Sequence, residues 1–165
     1  MRDALLTFVT AVNRVFAAVA SALILAVALL VFWDVVARYA FDAPSLWISD
    51  FARYALTYIF FLGLAPALQS GHHVSVDLFD GLWPALVKPL MPRLALAGCI
   101  LFGLILLWFV GHLALRSFER DPLAQTIVPI RLKYIHAAGP VGATQFVMTA
   151  VALFLKPPAR LPESA

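Results

Sequence analysis

Asp34 and Arg38 stand four residues apart, and Asp50 and Arg53 three apart, in stretches that are otherwise rich in apolar side chains. An acid followed by a base at this spacing lies on one helix face in the favourable orientation. Charges within or beside a membrane-spanning stretch are costly, so they mark partner contacts, ion paths or proton relays. The connector between the two pairs is short and brings all four residues to one membrane face, where a neutral four-charge network is expected. The functional reading is a subunit contact or docking patch. The plainer one is two interfacial ion pairs with snorkelling arginines.

Histidine offers redox and metal chemistry. His112 and His136 sit in two different apolar runs and approach the same membrane face. Two imidazoles from neighbouring helices can ligate a haem, as in a four-helix membrane anchor of a respiratory complex. Against this, both lie near helix ends, whereas haem ligands sit deeper. His72 and His73 follow Gly71 at the opposite face, and a metal there would need further ligands. Asp77 and Asp80 are the nearby candidates. Cys99 stands alone, so neither a disulfide framework nor a cysteine metal site is available. No Ser or Cys nucleophile has a plausible base, and neither a phosphate-binding loop nor an H-E-x-x-H motif is present. Neither an enzyme nor a bound cofactor is expected.

The elements that position these residues follow from composition. The chain has 165 residues, 63% hydrophobic and 13% charged, with net charge +3. A soluble domain carries roughly 25% charged residues, so this chain is an integral membrane protein with few spans. The scattered basic residues form no stripe for nucleic acid. A span needs about 20 apolar residues. Four stretches qualify, at about 15–37, 46–70, 94–115 and 134–155, and they predict an all-α membrane domain. The first run is too long for a signal-peptide core and reads as an uncleaved anchor. Asp42 or Ser45 is expected to cap the second helix, Pro66 to bend it and Gly71 to end it. Leu78, Phe79, Leu82, Trp83 and Leu86 recur at helical spacing, which predicts a short interfacial helix over about 77–92. Ser117 to Lys133 reads as a polar loop. Gly63, Ala65, Gly98 and Gly103 are candidates for close helix crossings.

Trp47, Phe51, Tyr54, Tyr58 and Phe61 or Leu62 fall on one face of the second helix. This stripe reads as an anchor for another protein's helices, or as an aromatic belt continued by internal packing. With no internal repeat, the inverted-repeat signature of a complete transporter is missing, which disfavours a small stand-alone transporter. Four spans place both termini on one side. Counting Lys and Arg gives six on each face, so the positive-inside rule does not orient the chain.

Three segments carry a family resemblance. Arg38-Tyr39-x-Phe41, Pro44, Trp47, Asp50 and Ala52-Arg53-Tyr54 follow an R-Y-x-F…W-x-x-E-x-A-R-Y pattern, with Asp50 in place of the usual Glu. Gly63 and then Gly71-His72-His73-Val74-Ser75-Val76-Asp77 resemble the G-x-H-V-x-V-D that ends the second helix. Pro129, Tyr134 and Pro140-Val141-Gly142 resemble the entry to the fourth, although Arg131 and Lys133 stand where apolar or aromatic residues are usual. The chain resembles the small membrane subunit (DctQ type) of tripartite ATP-independent periplasmic (TRAP) transporters.

That resemblance implies a scaffold role beside a much larger membrane subunit, which holds the substrate and sodium sites and moves as an elevator. A periplasmic binding protein delivers an organic acid to the pair. Both termini would be cytoplasmic in the bacterial inner membrane. Asp34, Arg38, Trp47, Asp50, Arg53, Tyr54 and Tyr58 would then be structural or partner-facing at the outer end, and Gly71, His72 and Asp77 at the inner end. Arg120, Arg131 and Lys133 become candidates for docking the binding protein.

Overall fold

The computed structural model of the chain describes residues 2–70 and 91–155. They form four helices: α1 (Arg2–Phe41), α2 (Leu46–Gln69), α3 (Met91–Arg120) and α4 (Leu132–Leu155). Each is long and apolar enough to cross a membrane, and the described residues contain no strand, only an isolated bridge between Leu123 and Arg131. The all-α, four-span fold is the one the composition predicts. The expected interfacial helix lies outside the described residues, except that Met91 and Pro92 begin α3 instead. Gly71, His72, His73 and Asp77 also lie outside them.

The helices outrun the apolar stretches for local reasons. The first 41 residues contain neither Gly nor Pro, so nothing interrupts α1 at Arg14. That side chain is exposed while its neighbours Val9 and Asn13 turn inward. Pro92 suits the first turn of α3, where its missing N–H breaks no bond. The expected 117–133 loop is shorter than its polarity suggested, because α3 runs to Arg120 and α4 starts at Leu132.

α1 and α3 stop by the same device. Asp42 and Asp121 follow their last residues with φ of 50° and 41°. Asp tolerates this left-handed region better than most side chains. Asp42 therefore ends α1 and does not cap α2. Ser45 occupies the N-cap position, but its side chain makes no capping bond. The carboxylate of Asp34, on α1, takes the Ser45 N–H instead, at 2.9 Å.

Packing centres on α4. Half of its most apolar window is buried, against 6% for α1 and 11% for α3. α4 packs on both α3 and α2, and α1 packs on α2 with a smaller contact to α4. Leu64, Ala65, Leu68, Phe146 and Ala150 form the core of the α2–α4 seam. Without a hydrophobic driving force in lipid, such seams depend on close fit. Gly142 supplies the tightest one, since an added Cβ would strike the backbone carbonyl of Phe61. Gly103 sits against Phe146 and Val147, and Gly139 against Val110. Ala65 is fully buried. Gly63 and Gly98 do not mark crossings, because their Cβ positions meet no atom within 4 Å.

Candidate functional site

At one end of the bundle, buried acids tie separate elements together. Asp34 is almost fully buried. One carboxylate oxygen holds Ser45 N–H, and the other pairs with Arg38 at 2.9 Å. Asp50 is likewise buried. It accepts the Val128 backbone N–H at 3.2 Å, with Arg53 more distant at 4.0 Å. The four charges thus form two intrahelical pairs rather than one network. Each acid has its second oxygen on, or directed to, backbone of another segment.

The loop between α3 and α4 is a built object. Ala124 N–H donates to Ile130 O at 2.9 Å, and Leu132 N–H to Pro122 O at 3.0 Å. Asp121 receives Arg131 at 2.9 Å and Lys133 at 3.1 Å, so two of the three candidate docking cations share one partly exposed acid. The Lys133 ammonium also lies 5.5 Å from the Tyr134 ring centre. Arg120 closes α3 and is exposed. Leu123 and Ile127 are exposed as well, which leaves an apolar tip on the loop.

The aromatic stripe divides along its length. Trp47 and Phe51 remain exposed, at 48% and 39%. Tyr54 is buried against Ala124 and Ile135. Its hydroxyl meets that of Thr126, which donates to the Val128 carbonyl at 2.9 Å. Tyr58 donates to the Tyr134 carbonyl at 2.6 Å, and Phe61 packs on Gly142. The inner part of the stripe therefore holds this chain's own loop and α4.

The two imidazoles have different neighbours. His136 Nδ1 lies 2.6 Å from the Ser117 hydroxyl, and the His112 ring lies over Trp108. Among the described residues, no group of three or more His, Cys, Asp or Glu could hold a metal.

At the other end of the bundle lies a polar cluster that the charge pattern did not signal. Asn13 on α1 is 2% exposed. Its amide N–H groups donate to Gln69 Oε1 at 2.6 Å and Thr149 Oγ1 at 3.1 Å. Its oxygen accepts Gln145 Nε2 at 2.8 Å. Gln69 reaches back to Thr10 at 3.1 Å. Three helices are thereby joined through uncharged groups. In lipid such bonds average about 0.6 kcal/mol each and reach about 1.7. Uncharged amides within apolar runs were the available signal.

Comparison with known proteins agrees with this architecture. Residues 27–157 match the family model of the DctQ component of tripartite ATP-independent periplasmic transporters. The chain is also similar to a C4-dicarboxylate TRAP transporter small permease protein of Vibrio cholerae serotype O1. Identity is 28% over 90 residues, which are 53% of this chain and 39% of the relative. The matched region takes in the end of α1, the clasped loop and all of α2, α3 and α4, and on that breadth the chain belongs to the DctQ family of small TRAP transporter subunits.

Proposed function

We propose that this chain is the immobile scaffold subunit of a binding-protein-dependent secondary importer of organic acids. The single observation that carries the reading is where the buried acids go. Asp34 and Asp50, the buried acids among the described residues, are each engaged by a backbone N–H of a neighbouring segment. Such acids brace helices and leave little to carry a substrate or ion. The family supplies the partners: a large membrane subunit and a periplasmic binding protein. The relative named above is a C4-dicarboxylate permease component, which motivates carboxylates as the substrate class.

In this reading both termini are cytoplasmic in the bacterial inner membrane. The Asp50 end and the 121–131 loop face the periplasm, and Arg120, Arg131 and Lys133 with the loop tip meet the binding protein. Uptake is sodium symport, with sodium bound in the large subunit and no cofactor in this chain. The test is reconstitution of the three proteins in liposomes with a labelled dicarboxylate. Uptake should require all three and an inward sodium gradient. Uptake by this chain alone, or equal uptake without it, would overturn the reading.

A further inference from the structure

On α3, Phe102, Ile105, Phe109, Leu113, Arg116 and Arg120 follow one another by steps of three and four, so they share one helix face. All six side chains are exposed. α3 packs chiefly on α4, through Gly103 and Val110 on another side, so none of the described residues covers the row. Its dimensions match one leaflet of a bilayer. Arg93 and Arg116 bracket the apolar run 94–115, which as helix is about 33 Å long and fits a hydrocarbon core of about 30 Å. Arg116 therefore stands at the edge of the hydrocarbon and Arg120 one turn beyond, at headgroup level. From Leu113 back to Phe102 is about 16 Å of helix, half the thickness of the core. There the large side chains end, with Gly98 one turn on.

The two cations at the head of the row are unclaimed. Arg38 has Asp34, Arg53 has Asp50, and Arg131 and Lys133 have Asp121. Neither Arg116 nor Arg120 has an ion-pair partner among the described residues. Glu119 lies about 60–100° round the helix from them and pairs with neither. The adjacent row of Leu101, Trp108 and Leu115 is as exposed but ends on Glu119, so it offers a similar apolar surface under the opposite charge.

A single arginine at a helix end is satisfied by water. Two guanidiniums one turn apart can fork onto the oxygens of one phosphate. A free phosphate would leave the apolar length beneath them bare, and a partner helix would need a contact surface across the whole span. A phosphate joined to an acyl chain matches both halves of the row, and two uncompensated cations select a headgroup of net negative charge. We infer that this face of α3 holds one anionic phospholipid, its phosphate between Arg116 and Arg120 and an acyl chain along Leu113, Phe109, Ile105 and Phe102. This assignment stands independently of the scaffold reading. Under both, Arg120 reaches the binding protein through a lipid headgroup rather than directly.

The test is lipid binding to the purified full chain, followed by native mass spectrometry, with phosphatidylglycerol and phosphatidylcholine of identical acyl chains. Each basic residue beside an anionic headgroup favours it about fivefold. The parent chain should therefore hold one phosphatidylglycerol about 25 times more tightly than phosphatidylcholine. Arg116→Gln should reduce the preference to about fivefold, and Arg116→Gln with Arg120→Gln should abolish it. Arg38→Gln removes the same charge from a cation that already has its acid, and should leave the preference intact. Phe109→Ser should weaken both lipids alike, and Trp108→Ser neither. Excess inorganic phosphate should displace no lipid. Equal retention of the two lipids by the parent chain would overturn the inference. So would a loss from Arg38→Gln as large as that from Arg116→Gln, or displacement by phosphate.

Discussion

The Asp50 carboxylate on α2 accepts the backbone N–H of Val128 at 3.2 Å, across 78 positions of chain. This bond holds the α3–α4 loop against the first turns of α2, beside the Tyr54–Thr126 contact. Asp50→Ala removes the acceptor of this part-buried bond, a loss of about 1 kcal/mol. Trypsin should then cut at Arg131 or Lys133 much faster in the purified protein. Asp50→Glu keeps an acceptor and should restore resistance. Equal cleavage of all three proteins would show that the loop is held by other contacts.

Gly142 and Gly63 make a controlled pair. A Cβ at Gly142 meets the Phe61 backbone, and one at Gly63 meets nothing. Gly142→Ala should destabilise the isolated subunit by about 1–3 kcal/mol, the usual range for overpacking. Gly63→Ala should stay within about 0.5 kcal/mol of the parent. Unfolding in detergent, followed by circular dichroism, measures both.

The Asn13 cluster should show the asymmetry of buried hydrogen bonds. Asn13→Leu removes the donor to Gln69 Oε1 and the nearer of the two acceptors of Gln145 Nε2 at once. Removing both sides of a bond is cheaper than removing one. Asn13→Leu alone should therefore lower the melting temperature more than Asn13→Leu combined with Gln145→Met. Additive losses would mean that the two side chains act independently.

Arg131 and Lys133 test docking. Both contact Asp121, yet the Arg131 side chain remains 54% exposed. Arg131→Glu should slow binding-protein-dependent uptake while the membrane complex stays intact. The defect should be larger at low salt, since exposed charges are screened over about 8–10 Å at ordinary ionic strength. Unchanged uptake at both low and high salt would remove the docking role from this residue.

Much of the fold was legible because bilayer physics is restrictive: long apolar runs admit few structures. The four spans, the Asp34–Arg38 pair and the Asp50–Arg53 pair follow from spacing alone. The second role of each acid did not, because Ser45 lies eleven residues from Asp34 and Val128 lies 78 from Asp50. Periodicity carries no information at those separations. The same limit explains the glycines. Gly63 and Gly142 look alike in sequence, and only the partner helix decides which one is a contact. Tyr54 and Tyr58 share a face with Trp47 and Phe51, but the loop covers only Tyr54, and Tyr58 bonds to the first turn of α4.

α1, α2, α4 and α3 join mainly in series, and α1 and α3 make no substantial contact with each other. Mechanically, such a row is as stiff as its weakest joint. The central joint sets the Phe61 backbone directly on Gly142, where no long side chain can bend. A sideways push on α2 is therefore passed to α4 with little give, like a load carried across a rigid joint in a beam. The apolar flanks left open along that beam, with Leu25 and Phe32 on α1 and Leu101 and Trp108 on α3, form a long edge that does not share in the load.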